Sequence, residues 1–112
     1  MKIISEKDMA SDIFKGYEML EVFVDFKEND CIVKMGKAVI KSGARIPEDG
    51  FGVHDAEELS YIIKGSLKSA TKQDKTTVKA GDFSYIPAGE EHWCQNISNE
   101  DCELIWFLLK KE

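Results

Sequence analysis

In the stretch EMLEVFVDF, residues 18–26, apolar and polar positions alternate so that Leu20, Val22, Val24 and Phe26 fall on one parity. That period of two, rich in β-branched and aromatic side chains, predicts a strand with one buried face. An arm of residues 1–17 precedes it, with a short helix expected near residues 7 to 15. The polar run at 28 to 30 predicts a turn, and CIVKMGKAVI resumes extended structure. SGARIPEDGFG clusters glycines around a proline, the composition of a loop or a broken strand. ELSYIIKG and SLKSATK predict strands meeting near Gly65, and residues 73 to 75 form a hairpin tip before TTVKAGD. FSYIP, HWCQNIS and the mixed aliphatic and aromatic CELIWFLLK complete the series, the last as a largely buried strand. Many short strands separated by glycine-rich turns predict an all-β sandwich or barrel, and the pattern alone leaves both open.

A length of 112 residues fits one domain with one core. The formal net charge of -6 argues against a phosphate backbone or an anionic membrane as partner. Charges interrupt the apolar residues of the N-terminus, and no run approaches the ~20 apolar residues of a membrane span. These features predict a cytoplasmic protein. Cys31, Cys94 and Cys102 are odd in number and lack the CxxC spacing, which suits free thiols in a reducing compartment better than disulfides or a zinc knot.

Candidate chemistry centres on the two histidines. His54 is followed by Glu57 and Glu58; on a strand, His54 and Glu58 share a face while Glu57 turns aside. With His92 from a neighbouring strand they form a two-histidine, one-carboxylate set, which suits a divalent transition metal and leaves coordination positions open. Arg45 is the only arginine. Its guanidinium can grip a carboxylate or phosphate of a substrate if its strand carries it to a cavity; the rival reading is a surface or interface ion pair. Ser60 and Ile62 share the parity of Glu58 and are candidate cavity walls, and Cys94 and Asn96 share that of His92. Tyr61, Tyr85, Trp93 and Trp106 are read either as a stacking surface or as core and interface. No nucleophile elbow or phosphate-binding glycine loop is present.

The spacing of these residues resembles the cupin superfamily, whose two signatures lie on a β-barrel of jelly-roll type, the double-stranded β-helix. The second signature, Gly-x5-Pro-x-Gly-x2-His-x3-Asn, is matched by Gly81, Pro87, Gly89, His92 and Asn96, within residues 81–96. The first, His-x-His-x3–4-Glu-x6-Gly, is matched within the region 43–65 by His54, Glu58 and Gly65, with Gly52 at the position of its first histidine. Counting back from Gly65 selects Glu58 over Glu57, which is left solvated or beside the ligands. The resemblance implies a single-domain cupin barrel with a short N-terminal arm. It also implies one divalent transition metal (iron, manganese, nickel or zinc) on His54, Glu58 and His92, and a homodimer. Gly52 then marks an open coordination site for substrate, a position filled by water or another side chain, or a lost metal site.

A metal so held would polarise an oxygen of a small polar metabolite, an organic acid or sugar derivative, for isomerisation or elimination. With iron it would activate dioxygen. Arg45, Gly52, Ser60, Ile62, Cys94 and Asn96 are the expected substrate contacts. The alternative is a non-catalytic small-ligand-binding or regulatory module, with or without metal.

Overall fold

The structure, a computed structural model, describes residues 1–28 and 31–111, without the side chains of residues 10 and 23–28. A single 3-10 turn, Glu6–Asp8, precedes ten strands: β1 Ala10–Phe14, β2 Tyr17–Glu28, β3 Cys31–Ile40, β4 Arg45–Ile46, β5 Glu57–Lys64, β6 Ser66–Thr71, β7 Lys75–Lys79, β8 Phe83–Ile86, β9 His92–Gln95 and β10 Cys102–Lys111. No α-helix occurs among the described residues, so none is long and apolar enough to cross a membrane.

The strands form two antiparallel sheets, of order β1-β2-β3-β10-β5-β8 and β4-β9-β6-β7. They face each other as a sandwich that strand pairing does not close into a continuous barrel. The expected hairpin at Gly65 is present, the one expected at residues 73 to 75 turns one residue earlier, at 72–74, with Lys75 already in β7, and the broken strand is the two-residue β4. The turn expected at 28 to 30 involves Asn29 and Asp30, which lie outside the described residues.

Two expectations are corrected. The helix expected near residues 7 to 15 is limited to the turn at Glu6–Asp8, because Ala10–Phe14 pairs antiparallel with β2 through Lys15 and Gly16. The inward parity of β2 is also reversed at its start. Tyr17 and Met19 pack against the core, while Leu20, of the opposite parity, is buried on the other side of the sheet. The register of β2 against β3 shifts after Glu21 and again after Phe23, and each such bulge moves side chains between faces. Val24 and Phe26 have side chains outside the description.

β10 runs at the centre of the larger sheet, paired with β3 on one side and β5 on the other, and its burial alternates from Cys102 through Leu104 to Trp106. These three pack with Ala38, Ile40, Ile62 and Leu67 between the sheets. Burying an aliphatic side chain of this size contributes about 1.5–3 kcal/mol. Trp106 extends across β3 over Gly36, where a Cβ would stand 2.8 Å from its Cζ2 and overlap the Leu20 carbonyl oxygen. Gly36→Ala therefore lowers stability by about 1–3 kcal/mol or more, measured as a shift of the urea unfolding midpoint at unchanged slope; an unshifted midpoint contradicts this packing.

Candidate metal centre and cavity

The second histidine segment is set by its turns. Gly81 and Gly89 adopt φ of +94° and +82°, left-handed conformations that glycine takes without the Cβ penalty, and Pro87 lies between them at the end of β8. Gly89 N donates to the His54 carbonyl at 2.9 Å. At the base of β9, Gly52 and His92 exchange both backbone hydrogen bonds, at 2.8 and 2.9 Å. The main chain thereby brings the two histidine segments together, with imidazole centroids 5.0 Å apart. Glu58 enters from β5, while Glu57 turns away and accepts a hydrogen bond from Ala88 N at 2.7 Å. His54 lies ahead of β5 and not on a strand with Glu58 as expected, and it reaches Glu58 through the Gly52 and Gly89 backbone pairings.

Each imidazole is oriented by a backbone carbonyl. His54 Nδ1 lies 2.9 Å from the Ala56 oxygen and His92 Nδ1 2.9 Å from the Glu90 oxygen. A carbonyl only accepts, so each Nδ1 carries the proton and each Nε2 presents its lone pair. His54 Nε2 is buried with no protein hydrogen-bond partner. It lies 3.7 Å from Glu58 Oε1, and His92 Nε2 lies 3.9 Å from Glu58 Oε2. These separations are too long for hydrogen bonds, and they match two donors that share one first-row ion at about 2.1 Å each. One ligand atom from each of the three residues lies within 4.8 Å of the others. The donor set fits a divalent transition ion.

The group opens on a cavity of about 540 Å³ between the sheets, lined among others by Gly52, Ser60, Ile62 and Cys94. A Cβ at Gly52 would meet nothing closer than Pro47 Cδ at 3.5 Å, so that position has room for a side chain. The hydroxyls of Ser60 and Ser84 bond to each other. Burial, with the Glu58 carboxylate nearby, pushes the Cys94 thiol up to about 12, so it meets the cavity as a neutral thiol. At the cavity edge, a hydrogen bond to Glu57 raises the Tyr85 phenol above its ordinary value. Trp93 and Trp106 both line the cavity, and Tyr61 packs against Phe83 with ring centroids 4.6 Å apart and the rings tilted by 47°.

Two expected substrate contacts are corrected. Arg45 pairs with Gln95 while its neighbour Ile46 pairs with Cys94, so Ile46 faces the cavity and Arg45 does not. Its Nη1 donates to the Pro47 carbonyl at 3.0 Å, and its guanidinium lies 4.5 Å from the centre of the Trp93 ring. Asn96 follows the last residue of β9, beyond the reach of strand parity. It is 0% exposed and lies outside the cavity lining. Its Nδ2 donates to the carbonyls of Ile40 at 2.9 Å and Glu100 at 2.7 Å, and its Oδ1 accepts from Ser98 N at 3.0 Å and Ser98 Oγ at 2.7 Å. Sequence reasoning missed the orienting carbonyls of Ala56 and Glu90, because a main-chain acceptor has no residue-type signature.

A family model described as "Cupin domain" matches residues 36–108. No curated protein sequence matches the chain significantly. Among solved structures, an RmlC-like cupin from Shewanella frigidimarina superposes with a TM-score of 0.76 at 15% identity, over 100% of this chain and 93% of that one. A predicted oxalate decarboxylase from Thermotoga maritima gives 0.75 at 20% identity, over 96% and 97%. The polyketide cyclase RemF from Streptomyces resistomycificus gives 0.78 at 15% identity, over 99% and 84%. At these identities the likeness is one of fold.

Asn96→Ala leaves the buried Ile40 carbonyl and the Ser98 amide without their partner. The expected loss is about 1–3 kcal/mol of stability in urea unfolding, with metal content of the folded protein unchanged. A variant of unaltered stability but reduced ligand binding would restore Asn96 to the site.

Proposed function

We propose that this chain, which belongs to the cupin family, is a metal-dependent enzyme acting on a small molecule, with one divalent transition ion held by His54, Glu58 and His92. The observation that carries this reading is the convergence of two Nε2 lone pairs and a carboxylate on one point, with both Nδ1 protons already committed to carbonyls. Such an ion supplies Lewis acidity toward a substrate oxygen or, as iron, dioxygen activation. The protein's own part is to fix the imidazole tautomers, to supply one negative charge through Glu58, and to leave the cavity side free of a fourth protein donor, since Gly52 has no side chain. Three protein ligands with open positions are the arrangement of catalytic rather than structural metal sites. The enzymatic names of solved relatives, a polyketide cyclase and a predicted oxalate decarboxylase, agree with a catalytic use of the scaffold. We assign the chain to the cytoplasm, where the free thiols Cys31, Cys94 and Cys102 persist.

We further propose a two-fold dimer through the outer face of the larger sheet. There Leu59, Tyr61 and Ile63 of β5 alternate with the inward set, and Tyr61 stands beside Phe83 of β8. Phe83 is 80% exposed and Ile63 44%, an apolar face that a symmetric copy covers.

Elemental analysis of untagged, chelator-free protein tests the metal. Near-stoichiometric metal in the wild type, lost in Glu58→Ala and His92→Ala and retained more firmly in Gly52→His, is the expected result. Wild type that takes up no iron, manganese, nickel or zinc on reconstitution removes the reading.

Light scattering coupled to size exclusion tests the assembly. The wild type is expected at twice the 12.7 kDa chain mass and Phe83→Lys at the chain mass; a monomeric wild type rules the dimer out.

A further inference from the structure

The walls of the cavity are unlike those of a site for polar metabolites. Toward the core it is bounded by Met19, Ala38, Ile62 and Leu104 on the larger sheet and by Leu67 and Val78 on the smaller. The hydroxyls of Ser60 and Ser84 bond to each other, which leaves one O–H of the pair to donate elsewhere, and Arg45 is engaged with the Pro47 carbonyl and the Trp93 ring. Among the described lining residues, Lys34 is the one Lys or Arg, against the carboxylates Glu21, Glu58, Asp74 and Glu90. A sugar acid brings many hydroxyls that each need a partner once buried; Ser69, Thr71, Thr76 and the unpartnered Trp106 Nε1 also line the cavity, but most of its wall surface is apolar. Charge points the same way. A divalent ion held by one carboxylate and two neutral imidazoles retains one positive charge, which a monocarboxylate cancels and a dicarboxylate overshoots in a cavity already rich in carboxylates.

We propose that the cavity takes an amphipathic monocarboxylate, an alkyl or aryl acid whose carboxylate meets the His54, Glu58 and His92 centre and whose apolar body lies between the sheets against Ile62, Leu104 and Leu67. This rests on the metal reading above and narrows its small molecule to apolar acids, in place of the polar metabolite expected from the sequence. The volume of about 540 Å³ lies within the range of small-molecule pockets, and apolar walls of this kind bind by contact area rather than by matched hydrogen bonds.

The test is calorimetric titration of the metal-loaded full chain with straight-chain carboxylates from butanoate to octanoate, with tartrate and gluconate as polar comparators. Glu58→Ala and Phe83→Lys are titrated with the same series. Each methylene that enters the apolar walls tightens binding by up to about fourfold, so affinity is expected to climb steadily along the series and to exceed that for tartrate and gluconate. Phe83→Lys keeps the climb, because its substitution lies on the outer face. Glu58→Ala weakens the whole series but keeps the increment per methylene. Affinity that is flat with chain length, or tighter for tartrate or gluconate than for octanoate, overturns the proposal. So does loss of the increment in Phe83→Lys, which moves binding to the outer face. An intact increment with equal affinity in the wild type and Glu58→Ala upholds the apolar body and removes the metal reading beneath it.

Discussion

The backbone pairing of Gly52 with His92, together with the hydrogen bond from Gly89 N to the His54 carbonyl, is the constraint on which the site depends. The two histidines are distant in the chain, and holding their segments together opposes the loop-closure entropy of everything between them. Main-chain hydrogen bonds meet that cost, with the antiparallel sheets to either side. Once the segments are joined, each imidazole needs only a local contact, Ala56 for His54 and Glu90 for His92, to fix its tautomer and direction. Glu58 needs only the pleat of β5. Side-chain chemistry at the centre is thus a consequence of backbone geometry, and no long-range side-chain network has to be assembled to form it.

β5 shows how tightly the two faces of one strand are linked. Glu58, Ser60 and Ile62 line the cavity, while Leu59 and Ile63 are exposed on the other side. A slip of one residue in the pairing of β5 with β10 or β8 would exchange the two sets, placing apolar side chains at the centre and a carboxylate on the outer face. The register Glu58 with Ile86 and Leu108 therefore fixes which side chains face the histidines and which form the apolar outer surface at once.

What could be read from the sequence follows the reach of each physical signal. The glycines at 81 and 89 were legible because a left-handed backbone has few residues to choose from, and Glu58 from its distance to Gly65, whereas the parity expected between His54 and Glu58 does not apply, since His54 precedes β5. The strands from β5 to β10 were legible from alternation between clear turns. Parity was incomplete in β2, where Leu20 is buried as expected but on the face opposite Tyr17 and Met19, which pack against the core between the sheets, and it did not extend to Asn96, just past the end of β9. Arg45 was misplaced because its direction depends on the register of a two-residue strand, which no local pattern sets. The helix expected near residues 7 to 15 yielded to pairing with β2, a tertiary contact that outweighs weak local propensity.

The open edges between the two sheets bear on how the cavity accommodates its contents. In a closed barrel, strand number and shear fix the cross-section, so the interior widens only by breaking rungs of the ladder. Here the sheets are joined by connecting segments and side-chain packing, with no ring of paired strands around the circumference. The spacing of the sheets is therefore set by the side chains packed between them, Ile62 and Leu104 against Leu67, and not by strand number and shear. The end that carries His54, Glu58 and His92 is stitched by main-chain hydrogen bonds, whereas the apolar walls meet across the sheets through side chains alone. A change of side chain in those walls alters the width of the cavity, while the same change near the histidines must contend with a fixed main chain.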